Sequence, residues 1–442
     1  MTRERKDYIL ICNHQFHFTE VVWGDFRVRT PMRKRLKITI CGASSWWVSK
    51  IQIAYERAIC YNSLIYCLRH TMITFKRTIE ARIEETLFKG RMIALLGPRQ
   101  SGKTTLSKKI IKKYAEKGGY FDCQLADVRK YFNLGRPCDL LSLVKTKKIV
   151  IFDEAQTIQN IGAILKAFHD TYPKIQIIAT GSSSFELSNK INEPMTGRVF
   201  EFTLLPLSLD EIKQAKKINL EDLYEFMLYG TYPAVVAEPS KELKKMILKN
   251  IATQYLYKDV FVFEAIRNPQ SFENLVKLLA MQVGSLVSVN ELATHLGVSR
   301  SVVQRYLRLL EQSFIIKIIH AFSNNPRNEL KKAFKVIFLD VGVRNALVDI
   351  EKKMDQREDK GFIFENFFIS ERLKIGNNEQ IFPPELMFWR TRQGEEVDVI
   401  EKNGIEIFAY ECKWKKKNFS LDYFLKKYPQ AVARLVTPHD LV

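Results

Sequence analysis

The stretch of residues 91–117, RMIALLGPRQSGKTTLSKKIIKKYAEK, constrains the fold of this chain more than any other. Its apolar start is typical of a buried strand, and Leu106 and Ile110 then recur at helical spacing in a helix predicted to end at Gly118-Gly119. Between strand and helix, the residues fit the pattern G-x-x-x-x-G-K-[ST]. Backbone N–H groups of such a loop and the N-terminus of the following helix attract phosphate oxygens. The sequence therefore predicts a phosphate-binding loop in an α/β domain with a parallel sheet.

The positions of this loop have separate predicted roles in binding a nucleoside triphosphate. Lys103 is expected to reach the β- and γ-phosphates, and the hydroxyl of Thr104 is expected to be a ligand of Mg²⁺. The sequence contains no GTP-selecting N-K-x-D motif, so ATP is the predicted nucleotide. The predicted nucleotide-binding residues are Gly97, Pro98, Arg99, Gln100, Ser101, Gly102, Lys103, Thr104 and Thr105.

A second candidate strand ends in two carboxylates. In KKIVIFDEAQTIQN the apolar run Ile149–Phe152 is followed by Asp153 and Glu154. Asp153 is predicted to hold the Mg²⁺ shell, and Glu154 to polarise the attacking water as a general base. The alternative is that the acidic pair serves as a helix N-cap, where Asp and Glu are also favoured.

Two further segments supply candidate sensors of the bound phosphate. The strand IQIIATGSSSFEL ends in polar residues, and Thr180 or Ser182 could sense the γ-phosphate; alternatively, the hydroxyls cap the next helix. Arg198, at the entry of the strand in TGRVFEF, could stabilise transition-state charge, in the same subunit or in a neighbouring one. A surface arginine without a catalytic role is the alternative.

Taken together, RTIEARIEETLFKGRMIALLGPRQSGKTTL, IVIFDEAQ, ATGSSS and TGRVFEFTLLPLSLDEI resemble a family of bacterial and archaeal P-loop ATPases of the AAA-plus superfamily. The resemblance covers residues 72–442. It implies a P-loop NTPase domain, a helical lid that closes on the nucleotide, and a C-terminal domain of unknown function. It fixes the architecture better than the biological role.

The segment SVNELATHLGVSRSVVQRYLRLLEQSFIIKIIHAF is typical of a winged helix-turn-helix. Gly297 lies where two helices need a tight turn, and Ser299 is predicted to cap the second helix. That helix has an apolar stripe, and its other side would offer side chains to DNA bases and phosphates. Winged helices also serve as protein–protein modules, which is the alternative. The predicted DNA-binding residues are Arg300, Gln304, Arg305 and Arg308.

The C-terminal hundred residues resemble a restriction-endonuclease-type core, written D…(D/E)-x-K with a glutamate on a preceding helix. Asp398 lies in one predicted strand, and Glu411 and Lys413 lie on one face of another. The resemblance implies that Asp398 and Glu411 bind Mg²⁺, that Lys413 activates water for phosphodiester cleavage, and that Glu365 assists. Val397 stands where such cores usually have proline. A structural ion-pair cluster in an inactive domain is the alternative.

The composition of the chain indicates a class of partner and sets residues 1–71 apart from the rest. The formal net charge of +20 favours a polyanionic partner, nucleic acid before a membrane surface. No segment is apolar enough to cross a bilayer, and neither a signal peptide nor paired cysteine spacing is apparent, so a cytoplasmic protein is predicted. Residues 1–71 are interpreted as a basic extension that is disordered or not native, with Met72 as the hypothetical true start.

The predicted domains are an N-terminal extension (1–71), a P-loop ATPase domain (72–207), a helical lid (208–268), a winged helix (269–325) and an α/β restriction-endonuclease-like domain (326–442). The leading functional hypothesis is hydrolysis of Mg·ATP coupled to DNA binding or processing. The competing hypothesis is a slow nucleotide switch that controls protein partners and carries an inactive nuclease-like domain. A homo-oligomer would be required if Arg198 acts on a neighbouring subunit.

Overall fold

A computed structural model describes most of the chain from Thr74 onward as one compact unit, separate from a unit at Met1–Ile73. In the first unit it describes only two antiparallel strands, β1 (Ile9–Ile11) and β2 (Thr19–Val21). Apart from these two strands, residues 1–71 lie outside the described part of the chain, and so does the prediction made for them. In the second unit the residues left undescribed are 134, 183–196, 255–267, 323–333, 349–351, 392 and 417–419.

A five-stranded, wholly parallel sheet forms the first part of the second unit. In spatial order its strands are β4, β5, β6, β3 and β7. Strand β6 lies between β3 and β5, so the ends of these three strands meet at one edge of the sheet. The strands are β3 (Met92–Leu96), β4 (Gly118–Asp122), β5 (Ile149–Asp153), β6 (Gln176–Gly181) and β7 (Val199–Thr203).

Both faces of this sheet are covered by helices, as expected for parallel strands that read as continuous apolar runs. Successive residues of β5 enter different cores: Val150 and Phe152 pack with Phe168, whereas Ile149 and Ile151 pack with Leu106. The α/β fold predicted for this part is confirmed. The helices are α1 (Ile79–Thr86), α2 (Lys103–Lys112), α3 (Ala126–Arg129), α4 (Pro137–Val144) and α5 (Ile161–Thr171).

The helix after the phosphate loop is shorter than predicted. It ends at Lys112, and Gly118-Gly119 begin strand β4 instead of terminating the helix. A Cβ on Gly118 would lie 2.5 Å from Cγ1 of Ile111, so glycine is needed where the strand passes close to α2.

Among the described residues, four helices follow the sheet, and the segment that was predicted to be a winged helix comes after them. The four are α6 (Leu209–Ala215), α7 (Leu220–Tyr229), α8 (Pro233–Ala237) and α9 (Lys241–Gln254). That segment contains α10 (Pro269–Met281), α11 (Val289–Leu296) and α12 (Arg300–Gln312), with strands β8 (Leu286–Val287), β9 (Ile316–Ile319) and β10 (Phe334–Phe338). Strand β10 is the middle strand of this sheet although it follows residue 325, where the winged helix was predicted to end.

The remaining described residues form a four-stranded sheet with helices packed beside it. Strands β11 and β12 and strands β12 and β13 pair antiparallel, and β13 and β14 pair parallel. Helix α14 packs on this sheet, and its Phe364 and Phe367 share one core with Leu223 and Phe226 of α7. The elements are α13 (Val341–Leu347), α14 (Lys360–Glu379), β11 (Glu385–Arg390), β12 (Glu396–Asn403), β13 (Glu406–Cys412), α15 (Asp422–Lys427) and β14 (Val432–Val436). Within the described part of the chain, no helix is long and apolar enough to span a membrane.

Candidate nucleotide-binding site

The glycine-rich loop joins the end of β3 to the start of α2, as the motif requires. Gly97 has φ +144°, and a Cβ there would lie 2.2 Å from the carbonyl oxygen of Leu204. Gly102 has φ +100° and precedes the first helical residue. Only glycine adopts both conformations without strain. The two glycines therefore fix the loop around the N-terminus of α2.

Lys103 lies in the hollow of this loop. Its ammonium group donates to the carbonyl oxygens of Gly97 at 2.7 Å and Pro98 at 2.8 Å. The Lys103 side chain is buried, and Lys103 is the first residue of α2. A fixed positive charge and a positive helix end at one place form an anion site.

Asp153, at the end of β5, accepts hydrogen bonds from three hydroxyl groups. Thr104 Oγ1 donates to Oδ2 at 2.8 Å, Tyr120 also donates to Oδ2, and Thr180 donates to Oδ1. The three donors come from α2, β4 and β6, which meet here because β5 lies between β4 and β6. Hydroxyl and carboxylate oxygens are the ligands that Mg²⁺ prefers, so Thr104 and Asp153 fit a magnesium site.

Glu154 adopts a left-handed backbone conformation, with φ +52°. Its N–H donates to Thr180 Oγ1 at 3.1 Å, and its carboxylate accepts from Gln156 Nε2 at 2.6 Å. Gln156 also donates to the buried Ser182 at 3.2 Å. The Glu154 side chain makes no capping bond to the short helical turn that follows, so the alternative N-cap role is not seen. The cap alternative for Thr180 and Ser182 concerns residues outside the described range.

Arg77 was not predicted to be a site residue, yet its hydrogen bonds join the phosphate loop to the segment after β7. Its guanidinium donates to the carbonyl oxygens of Ser101 at 2.7 Å and Leu205 at 2.6 Å, and to the carboxylate of Glu211 at 3.0 Å. Burial lowers the pKa of Arg77, and the Glu211 carboxylate offsets part of this effect. Arginine seldom lies in a core unless it is paired. No pattern around Arg77 indicates these three distant partners.

Tyr120 was also missed, because strand β4 was not predicted. Burial, followed by the hydrogen bond to Asp153, raises the pKa of the Tyr120 hydroxyl, so it stays a donor at neutral pH. The signal available in the sequence was the polar tyrosine in the short apolar run GGYFD.

Arg198 lies away from the phosphate loop of its own subunit. Arg198 lies just before β7, whose first residue pairs with Met92 at the start of β3. The loop follows the other end of β3, about 16 Å away for five extended residues. Arg198 is half-exposed and pairs with Asp170 at 3.0 Å. This position fits the surface alternative, and the catalytic role of Arg198 stays a prediction.

Three of the four predicted DNA-binding side chains lie on one side of α12. Arg300, Gln304 and Arg308 are exposed and four residues apart, whereas Arg305 is half-buried with its guanidinium 5.8 Å from the ring of Tyr306. Gly297 has φ +62° and forms the predicted tight turn. Ser299 holds the N-cap position, but its hydroxyl makes no capping bond, contrary to the prediction.

The predicted nuclease residues gather in the C-terminal sheet. Asp398 accepts from the N–H of Cys412 at 2.8 Å, and Lys413 pairs with Glu411 at 2.6 Å, so Glu411 and Lys413 share a face as predicted. Glu365 of α14 pairs with Lys335 of β10 at 2.7 Å. Burial raises the pKa of Glu365 to about 7, and the Asp398 carboxylate acts in the same direction.

Three carboxylates of this cluster are paired with ammonium groups, where the nuclease resemblance implies a metal ion. Among the described residues, no group of three or more His, Cys, Asp or Glu side chains is arranged to hold a metal ion. Instead, Glu365 and Glu396 are both ion-paired with Lys335, at 2.7 and 2.8 Å.

Comparison with known families agrees with the geometry of the loop. Residues 89–213 match the family described as AAA domain. Residues 220–354 and 360–440 match two families that are each described as a domain of unknown function. Residues 89–213 are therefore similar to an AAA domain, and the residues that follow are similar to domains of unknown function, in agreement with the resemblance stated above.

Two curated relatives extend over most of the chain. An uncharacterized protein of Methanocaldococcus jannaschii is 25% identical over 346 residues, which are 73% of this chain and 75% of the relative. One of Mycobacterium tuberculosis is 24% identical over 346 residues, 77% of this chain and 74% of the relative. Among solved structures, the Aeropyrum pernix ORC1 protein in complex with DNA is 13% identical, covering 61% of this chain and 91% of that one. Its TM-score of 0.30 is too low to support an argument.

Proposed function

We propose that this protein hydrolyses Mg·ATP and uses the nucleotide cycle to control its hold on DNA. The observation that carries the first half is the meeting of four groups at one sheet edge. The Lys103 ammonium, the Thr104 hydroxyl and the Asp153 and Glu154 carboxylates come from elements that are adjacent in space. ATP hydrolysis needs a phosphate-binding cation, metal ligands and a base at such a place.

In this proposal the loop from Gly97 to Thr105 binds the phosphates of ATP. Lys103 exchanges its bonds to the Gly97 and Pro98 carbonyls for the β- and γ-phosphates, which are stronger acceptors because they are charged. Thr104 and Asp153 hold Mg²⁺, which neutralises developing charge on the phosphates.

Glu154 is the proposed general base. Its carboxylate is held by Gln156 at 2.6 Å, and its backbone N–H is held by Thr180, which also contacts Asp153. Base and metal ligand are thus linked through one hydroxyl group. Thr180 is the proposed sensor, because a change in metal coordination at Asp153 would reach Glu154 through it.

DNA is the proposed partner, and α12 is the proposed contact. Arg300, Gln304 and Arg308 form an exposed row on the second helix of a helix-turn-helix, a geometry that suits the major groove. The net charge of +20 favours a polyanion.

Coupling between the nucleotide and the rest of the chain has a short physical route. The segment that follows β7 contacts the loop: Leu204 N–H donates to Leu96 O at 2.7 Å, and Arg77 joins Ser101 to Leu205. The same segment is bound to α14, because Asn377 donates to Thr203 O at 2.6 Å.

Three further hydrogen bonds extend this attachment. Leu209 N–H donates to Glu371 at 2.7 Å, and the buried Lys374 donates to Leu207 O at 3.2 Å and to Thr231 at 2.8 Å. A shift of the loop on binding ATP would therefore be transmitted to α14 and to the helices it packs against.

The direct test compares DNA affinity in two nucleotide states. With Glu154→Gln, fluorescence anisotropy of a labelled duplex should give different affinities in Mg·ATP and without nucleotide. Equal affinities in both states, with ATP binding shown by calorimetry, would contradict the coupling and favour a switch that acts on protein partners.

A further inference from the structure

The most unusual buried group outside the nucleotide site is the ammonium of Lys335. Its side chain is 1% exposed, although the other residues of strand β10 are apolar. It lies 2.7 Å from Glu365 Oε1, 2.8 Å from Glu396 Oε1 and 5.5 Å from the ring centre of Phe388. A buried lysine is costly unless it is paired, so its partners decide its role.

Those partners belong to the carboxylate cluster to which the nuclease resemblance points. Glu365 and Asp398 are named by that resemblance, and Glu396 lies two residues before Asp398 on β12. Lys335 itself comes from β10, the middle strand of the winged-helix sheet. A cation from one domain is therefore enclosed by the carboxylates of the next.

The position of Lys335 is fixed by a neighbouring clamp. The Asn366 side chain accepts from Phe338 N–H at 2.9 Å and donates to Phe338 O at 2.8 Å, which ties β10 to α14 next to Glu365. These two hydrogen bonds hold β10 against α14, so the backbone of Lys335 stays beside Glu365.

We propose that the ammonium of Lys335 serves as the built-in counter-cation of this cluster and takes the place of a divalent metal ion. The C-terminal domain then does not cleave phosphodiester bonds by metal catalysis. Its carboxylates instead lock the winged helix onto α14 through Lys335.

Charge and geometry support this assignment. Burial acts to lower the pKa of Lys335, but Glu365 and Glu396 outweigh it and raise the pKa, so the side chain stays cationic. Glu411 is paired with a second ammonium group, that of Lys413, at 2.6 Å. Two ammonium groups, those of Lys335 and Lys413, thus pair with three carboxylates of the cluster.

The test uses the full chain without nucleotide and Mn²⁺ as the probe. We compare wild type, Lys335→Met, Lys335→Met/Glu365→Gln and the control Lys317→Met, whose lysine is exposed on the same sheet and pairs with Glu311. Any Mn²⁺ bound at Thr104 and Asp153 is common to all four proteins and cancels in the comparison.

Lys335→Met should lower the melting temperature in the absence of metal, and Mn²⁺ should restore part of the loss. In the double variant Mn²⁺ should not raise the melting temperature. Wild type and Lys317→Met should have equal melting temperatures without metal and the same response to Mn²⁺. A Lys335→Met protein that folds but gains no response to Mn²⁺ contradicts the proposal.

If Lys335→Met does not fold, wild type and Glu411→Gln decide the question alone. We expect identical Mn²⁺ titrations by calorimetry and no Mg²⁺-dependent nicking of plasmid DNA by either protein. Wild-type nicking or Mn²⁺ binding that Glu411→Gln abolishes would overturn the proposal. This inference does not depend on the proposed ATPase cycle, so either can fail without the other.

Discussion

The hydroxyl of Thr104 donates a hydrogen bond of 2.8 Å to the carboxylate of Asp153, a residue 49 positions further along the chain. Thr104 lies in α2, the helix after the phosphate loop. Asp153 ends strand β5, which is separated from β3 by one strand, β6. Since both groups are hard oxygen ligands, this hydrogen bond defines where a magnesium ion would bridge the protein and ATP.

Lys103→Ala should weaken ATP binding about ten-fold or more, because the variant has no ammonium group to donate charge-assisted hydrogen bonds to the phosphates. Isothermal calorimetry with Mg·ATP measures the effect. Lys112→Ala, at the exposed end of the same helix, is the matched control and should bind as wild type does. Equal affinities for the two variants would remove Lys103 from the site.

Glu154→Gln should keep ATP bound while turnover falls about 10²- to 10⁴-fold, the usual contribution of a positioned base. Phosphate release and retained nucleotide are measured on the same preparation. Glu116→Gln changes an exposed carboxylate in the same domain and should leave turnover unaffected. A wild-type rate in Glu154→Gln would exclude this residue as the base.

Arg77→Ala should destabilise the protein by about 3–5 kcal/mol, because Glu211 would be left as an unpaired buried charge. It should also reduce the rise in melting temperature on adding Mg·ATP, since Ser101 loses its brace. Arg77→Ala/Glu211→Gln removes the unpaired charge and should recover stability but not the nucleotide response. Recovery of both would mean that Arg77 has only a structural role.

Replacing Arg300 and Arg308 with alanine should weaken duplex binding and lower the salt slope by about 0.9 for each phosphate that the protein no longer neutralises. Anisotropy titrations at several salt concentrations give both quantities. Lys277→Ala removes an exposed charge from the neighbouring helix α10 and is the control. An unchanged slope in the double variant would exclude α12 as the DNA-binding helix.

The sequence was most informative where function demands a fixed local pattern. The loop from Gly97 to Thr104 and the pair Asp153-Glu154 were located by spacing and by the apolar runs before them, and the structure places them at one edge. Phosphate binding constrains consecutive residues, so the signal is local.

Interactions between distant segments were not predictable in this way. Arg77 is buried by Ser101, Leu205 and Glu211, and Lys335 by Glu365, and no spacing relates these positions. Strand β4 was missed for a different reason. Its two glycines are typical of a helix end, whereas the structure uses one of them to let α2 pass close by.

The place of Arg198 could have been inferred. A residue at the entry of a parallel strand lies at the amino end of the sheet, and the phosphate loop follows the carboxyl end of its neighbour. The pattern TGRVFEF therefore already argued against a role in the same subunit.

The most direct test of the central claim is phosphate release by the full chain, with and without duplex DNA, using Glu154→Gln as the blank. We predict release well above the blank that DNA stimulates several-fold. A wild-type rate equal to the blank would contradict ATP hydrolysis at this site. Release that DNA leaves unchanged would contradict the coupling and point to a nucleotide switch with protein partners.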